Sequence, residues 1–247
     1  MIVHIVTIFP NSFDGYLNQS ILKKAIEKKL IEIDIIDLRD YAEGKHRVVD
    51  DYPFGGEAGM VMKPEPIFRC IEKIKEKNPK AKVIFLTPDG KLYNQEIVKE
   101  LSKEEEIILL CGRYKGVDER VRKSLVDMEI SIGNYVVSGG ELPAMIVVDS
   151  VMRMLPGALG NMESAESDSF YKGLLGAPVY TRPAEFRNMK VPSILLSGNH
   201  KEIRKWKIKE SIKNTLLKRP ELINEANLND EEKKIYEDLK NEGLKKS

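Results

Sequence analysis

The feature that most constrains this chain is an alternation of short apolar runs with helical stretches through its first 155 residues. Residues 2–9 form a near-continuous apolar run, as a strand buried on both faces requires. Residues 12–30 carry helical spacing, with Ile21, Leu22, Ala25, Ile26 and Leu30 on one side. Ile31, Ile33 and Ile35 then alternate with acidic residues before Ile36 and Leu38. Further apolar runs lie at residues 82–87, 107–111 and 128–132, with helical stretches at 66–77, 94–101, 118–125 and 142–155. This order predicts an α/β domain, a mostly parallel sheet covered by helices on both faces. The first ten residues have no basic region ahead of the apolar stretch and read as a strand rather than a signal peptide. A chain of 247 residues suits one main domain plus a small appendage, with core enough to need no disulfide or metal.

Around residues 156–183 the pattern dissolves into Gly, Ser, Pro and acidic residues. The expected division is an α/β domain over 1–160, a linker over 161–175 and an all-helical domain over 176–247. Within the linker, Glu163-Ser164-Ala165-Glu166-Ser167-Asp168-Ser169-Phe170 reads by itself as a solvated hinge. Beyond it the signal is helical only. Asn199 caps a helix over 200–218, with Ile203, Trp206, Ile208, Ile212 and Leu216 on one side, and a last helix begins near Asp230. Net charge is +1, yet residues 181–220 hold eleven Lys/Arg against three Asp/Glu, a surplus of eight. Such a surplus fits a phosphate-facing surface and an ordinary solvated helix equally well. With 42% hydrophobic and 32% charged residues the chain is neither disordered nor, lacking an apolar run of about 20 residues, membrane-spanning. Cys70 and Cys111 stand alone without a CxxC partner, which points to a reducing, cytoplasmic compartment.

Ligands of an open parallel sheet collect beyond the carboxyl ends of its strands. Three such ends carry glycine: Thr87-Pro88-Asp89-Gly90, Gly112-Arg113-Tyr114-Lys115-Gly116, and Gly133-Asn134-Tyr135-Val136-Val137-Ser138-Gly139-Gly140-Glu141. Glycine there lets a ligand approach the backbone and frees N–H groups to donate. None of the three fits GxGxxG or GxxxxGK[ST], and HExxH, GxSxG and clustered Cys/His sets are absent. His4 lies in a strand and reads as structural. His46 and His200 suit RNA contact and plain solvent exposure alike. A long loop, residues 39–66, holds glycines and aromatics that argue against simple disorder.

These motifs, in this order and spacing, resemble the bacterial tRNA (guanine-N(1))-methyltransferases of the TrmD family, in the knotted SPOUT class. The likeness covers nearly the whole chain. It rests on Ile8-Phe9-Pro10, His46-Arg47-Val48-Val49-Asp50-Asp51, Cys111-Gly112-Arg113-Tyr114, Asp118-Glu119-Arg120 and Ser131-Ile132-Gly133. Gly139-Gly140-Glu141-Leu142-Pro143-Ala144, Asp168-Ser169-Phe170, Tyr180-Thr181-Arg182-Pro183, Ser197-Gly198 and Ile203-Arg204-Lys205-Trp206 complete it.

The resemblance implies methyl transfer from S-adenosylmethionine to N(1) of the guanosine just 3′ of the tRNA anticodon. It also implies a deep trefoil knot, which ordinary topology rules would not predict, and a homodimer with shared sites. Leu86, Pro88, Gly112, Ile132, Gly133, Asn134, Tyr135, Val136, Val137, Gly139, Gly140 and Pro143 would line the cofactor pocket. Asp168 would be the general base and Arg153 the cation opposing charge on guanine O6; by themselves they read as a helix N-cap and a surface helix cation. His46, Asp50, Gly55, Gly56, Gly59, Lys115, Arg182, Lys201, Arg204 and Lys205 would meet the tRNA anticodon stem-loop. The chain departs from the family pattern at Lys115, usually glutamate within GRYEG, and at Glu57-Ala58 within a loop usually GGGPG. Asn134 replaces a common aspartate, and Gly176-Ala177-Pro178-Val179 a segment often DCPHY. The carboxylate usual at position 115 is associated with magnesium dependence, and lysine there reverses the charge. A SPOUT methyltransferase acting on another RNA base, or a silent tRNA-binding protein, are the other readings; Lys115 and Glu57 favour the former.

Overall fold

The computed structural model describes residues 1–160 and 168–241. The stretch Glu163-Ser164-Ala165-Glu166-Ser167 of the expected hinge lies outside them. The chain divides into two compact units, Met1–Asn161 and Met162–Ser247.

In the first unit the main elements are β1 (Ile2–Thr7), α1 (Asp14–Leu17), α2 (Ser20–Glu27), β2 (Glu32–Asp37), β3 (Asp50–Asp51), β4 (Val61–Met62) and α3 (Pro64–Lys75). Then come β5 (Lys82–Leu92), α4 (Gln95–Leu101), β6 (Glu106–Cys111), α5 (Glu119–Leu125), β7 (Met128–Ser131) and α6 (Glu141–Met152). The sheet is parallel throughout, in the order β2-β1-β6-β5-β7. Its three central strands, β1, β6 and the start of β5, read as near-continuous apolar runs because successive side chains enter two different cores. The edge strand β2 instead alternates with acidic residues. Val3 and Ile5, Ile107, Leu109 and Cys111, and Ile84 and Leu86 face the helices α2, α4 and α6. Val6, Ile108 and Leu110, and Val83 and Phe85 face α3 and α5. His4 is structural: its ring sits between Asp34 Oδ2 (3.0 Å) and Glu106 Oε1 (2.8 Å), tying β1 to the strands on either side.

Three local expectations change. The strand expected over 82–87 runs on to Leu92, because β5 pairs with β7 again at Lys91 and Leu92, so Thr87-Pro88-Asp89-Gly90 lies inside the strand rather than beyond its end. The helix expected over 12–30 is broken into a 3-10 turn (Pro10–Phe13), α1 and α2. The break lets Phe13 and Leu17 both bury, and Asn18 Nδ2 donates to Asp14 O (2.7 Å) at the interrupted end. The long loop over 39–66 holds the small antiparallel pair β3–β4 and the start of α3. Strands of two residues are too short for a periodic signal.

The second unit contains β8 (Glu185–Phe186), β9 (Met189–Lys190), α7 (Ser193–Leu196), α8 (His200–Lys218), α9 (Glu221–Glu225) and α10 (Asp230–Asn241). Asn199 caps α8 as expected, its Oδ1 accepting from Glu202 N (3.3 Å). The expectation of helix alone is corrected by the antiparallel hairpin β8–β9. Its core is small: Leu174, Ile212, Ile223 and Leu239. Leu174 brings the end of the expected linker into this unit. Leu175 N donates to Thr215 Oγ1 (3.0 Å), and Asn214 Nδ2 to Gly176 O (3.1 Å).

Candidate active site

The three glycine-marked loops meet at the carboxyl edge of the sheet. β7 is paired with β5 twice, Ile130 lying opposite both Leu86 and Lys91. The stretch of β5 between these two pairings, where the register shifts, therefore presses on β7: a Cβ on Gly90 would stand 2.4 Å from the Glu129 carbonyl carbon and the Ile130 nitrogen. Only glycine fits there. The second and third loops are stitched together in the same way. Gly140 N donates to Gly112 O (2.9 Å), and a Cβ on Gly140 would lie 2.5 Å from Cys111 Cα.

Beneath these loops lies a buried polar knuckle. Glu141, the first residue of α6, is only 3% exposed. Its Oε1 accepts from Thr7 Oγ1 (2.7 Å) and its Oε2 from Arg113 Nε (3.0 Å). Thr7 Oγ1 in turn accepts from Phe9 N (2.9 Å), and the Arg113 guanidinium lies 4.5 Å over the Phe9 ring. One carboxylate thus couples the ends of β1 and β6 to the start of α6. A buried acid is tolerated only when it is paired and hydrogen-bonded. Burial, with Glu141 nearby, pushes the Cys111 thiol well above its ordinary range against the opposing pull of Arg113. It is a packing residue.

Above the knuckle the loops enclose a cleft of about 270 Å³, near the lower bound of about 300 Å³ for small-molecule sites. Of the residues expected to hold a cofactor, Leu86, Pro88, Gly112, Ile132, Tyr135, Val136, Val137, Gly139, Gly140 and Pro143 line it. Gly133 and Asn134 belong to the same loop but do not. Phe85, Thr87, Asp89, Arg113, Tyr114, Gly116, Ile130, Ser131 and Ser138 also line it and were missed; each lies in or beside a glycine-marked segment. Lys115 is at the rim, its Nζ 3.9 Å from Glu57 Oε2. Lys115 N donates to Met60 O (3.0 Å) and Met62 N to Gly116 O (3.0 Å), so the end of the long loop is zipped to the cleft edge. Gly59 packs on the Lys115 side chain, while Gly55 and Gly56 are exposed at positive φ beside a fully exposed Phe54. His46 is exposed, and Asp50 is half-buried in β3 opposite Met62.

Arg153 is the half-buried C-cap of α6, its N–H donating to Asp149 O (3.2 Å). In the second unit Asp168 is exposed and lines a cavity of about 450 Å³, in which Lys172, Arg204, Lys207 and Ser211 stand beside Leu174, Leu175 and Ile208. Arg182, Lys201 and Lys205 are exposed, Lys205 Nζ lying 3.4 Å from Glu202 Oε1.

An open parallel sheet with a cleft of mixed polar and apolar lining beyond its carboxyl edge, built on glycine-marked segments, defines a small-ligand α/β protein. Comparison with known proteins narrows the class. The profile of the family described as tRNA (Guanine-1)-methyltransferase TrmD matches residues 1–225. A tRNA (guanine-N(1)-)-methyltransferase of Dictyoglomus turgidum is 54% identical over 240 residues, 97% of either chain. One from Geobacillus kaustophilus is 52% identical over 242 residues, 98% of this chain and 99% of the relative. The crystal structure of the tRNA (m1G37) methyltransferase from Aquifex aeolicus superposes with a TM-score of 0.73 at 46% identity, covering 91% of this chain and 95% of that one. The chain belongs to the TrmD family.

Proposed function

We propose that this protein transfers a methyl group from S-adenosylmethionine to N(1) of guanosine 37 in tRNA, next to the anticodon, the site named for its relative from Aquifex aeolicus. The observation that carries the reading is the joining of three glycine-marked loops into one cleft in a chain of this family. The donor set suits an adenosine. Leu86, Ile132, Val137 and Pro143 offer apolar walls, and the glycine loops bring main chain to the cleft; the lining carboxylate Asp89 is already paired with Arg122 (3.2 Å). Arg113, a cation of the lining, is already held by Glu141.

When bound, S-adenosylmethionine supplies a methyl carbon activated by its sulfonium. The chain's own residues prepare the acceptor. Guanine N(1) holds its proton near neutral pH and is a poor nucleophile until that proton leaves. The Asp168 carboxylate accepts it, a role typically contributing about 10²- to 10⁴-fold. The Arg153 guanidinium opposes the charge that then develops on O6.

Residues 1–160 form the cofactor-binding domain, with its chain threaded as a deep trefoil knot, and the unit beyond the linker binds tRNA. The surplus of cations over residues 181–220 meets anticodon-stem phosphates, so affinity falls steeply with salt. The protein acts in the cytoplasm as a homodimer with shared sites. Exposed Leu142 and Ile146, one turn apart on a helix whose other face is buried, support a covering second copy. At the cleft rim Lys115 faces Glu57 where the family pattern has a lone carboxylate, and the paired charges leave little to hold a divalent cation. We infer weakened magnesium dependence.

The test is methyl transfer to an unmodified tRNA transcript with guanosine 3′ of the anticodon, read by nucleoside mass spectrometry with and without magnesium. 1-Methylguanosine formed by the wild type and absent with Asp168→Asn is the expected result. No product from wild type that binds S-adenosylmethionine would overturn the target; complete loss of activity on magnesium removal would overturn the Lys115 argument.

A further inference from the structure

The hairpin β8–β9 carries side chains that its own fold does not use. It pairs only Glu185 with Lys190 and Phe186 with Met189. Every residue from 181 to 190 is exposed. Phe186 is 57% exposed and Met189, directly opposite, 64%. A two-stranded ribbon is marginal in water, and an apolar pair left solvated adds little to it. The turn is expensive as well. Arg187 and Asn188 both have positive φ, 51° and 61°, the geometry of a two-residue turn that favours Asn-Gly. Asparagine tolerates that region; arginine does so only against its preference. Yet Arg187 stands at the tip, its guanidinium 5.2 Å over the Phe186 ring. Lys190 Nζ lies 3.7 Å from Glu185, so the hairpin's acid is paired and the tip is left cationic.

We propose that this hairpin is a base-stacking finger for an unstacked nucleotide of the RNA loop that carries the target guanosine. Phe186 and Met189 form the apolar platform, and Arg187 extends it and meets the adjacent phosphate. The inference rests on the tRNA reading given above. It selects loop rather than stem because paired bases are already stacked, whereas splayed loop bases gain from an aromatic or guanidinium face. The cationic tip complements a polyanion, and an apolar patch of two side chains is small for a protein partner.

The experiment uses the full-length protein and the same tRNA transcript, with Phe186→Ala, Phe186→Trp and Arg187→Ala. Phe186→Ala should raise the Kd and KM for tRNA about 5- to 150-fold, the range of one lost stack. Its kcat at saturating tRNA, S-adenosylmethionine affinity and mass in solution should not change. Phe186→Trp should restore binding, and its added indole should be quenched by tRNA beyond the change seen for wild type. Arg187→Ala should lower the slope of log affinity against log salt by about one. Unchanged tRNA binding by Phe186→Ala, or no added quenching in Phe186→Trp, would overturn the finger. A changed solution mass of Phe186→Ala would also overturn it, by assigning the hairpin to a second copy of the chain. Should the wild type fail to methylate this tRNA, the activity reading itself falls. A wild type that methylates beside an unaffected Phe186→Ala removes only the finger.

Discussion

Replacing Glu141 with alanine should be the most damaging single change beneath the cleft. The substitution leaves the Arg113 guanidinium without its carboxylate and the fully buried Thr7 hydroxyl without its acceptor. Removing one member of a buried ion pair costs about 3–5 kcal/mol, and an orphaned buried hydroxyl about 1–3 kcal/mol. The two losses overlap, and the Arg113 side chain is 24% exposed, so its stranded charge can recruit water. We therefore expect a loss of about 3 kcal/mol from the first unit, with weakened S-adenosylmethionine binding because Arg113 and Gly140 line the cleft. Glu141→Gln keeps one acceptor and should fall between alanine and wild type. The single tryptophan, Trp206, lies in the second unit, so tryptophan fluorescence follows that unit while far-UV circular dichroism follows both. Denaturant unfolding should show an early circular-dichroism transition, and calorimetric titration a weaker cofactor Kd. In a double-mutant cycle Arg113→Ala should add little to Glu141→Ala, a coupling above about 1 kcal/mol. Stability within about 1 kcal/mol of wild type, with unchanged cofactor affinity, would refute the knuckle.

Gly140→Ala should abolish cofactor binding before it unfolds the chain, since the new methyl meets Cys111 backbone at 2.5 Å and the loop must move; titration calorimetry checks this. Cys70 and Cys111 are buried and their thiols are held protonated, that of Cys70 pushed up to about 12 by burial. Neither should react with a thiol reagent at pH 8 until denaturant is added. Asp118 caps α5, and hydrogen bonds from Arg120 hold its carboxyl below the ordinary 3.8. A depressed folded value means that the charge stabilises above 3.8 and that this is lost as pH falls through the folded value. The advantage of wild type over Asp118→Asn, below about 1 kcal/mol because Arg120 is exposed, should vanish in acid melts.

Much of the first unit is legible in the sequence because parallel strands covered on both faces must be apolar at nearly every position. Residues 2–9, 82–87 and 107–111 each mark their strand, and Asn199 marks the start of α8. The glycine-marked turns were visible for a related reason: a backbone pressed as closely as Gly90 on β7 or Gly140 on Cys111 admits no side chain. Local chemistry sets these features, so a local string records them. What it does not record is which distant groups meet. Nothing around Glu141 announces Thr7, 134 residues away, as its donor, or shows that Arg113 is neutralised rather than offered to a ligand. The pairing of Lys115 with Glu57 is equally silent in the sequence, where each reads as a lone departure. The hairpin at Arg187-Asn188 escaped because four strand residues give no period and its turn lacks the usual glycine. Periodicity, caps and turn residues are properties of neighbours along the chain. The sharing of one buried carboxylate by two strand ends and a helix is a property of neighbours in space, fixed only when the sheet brings those ends together.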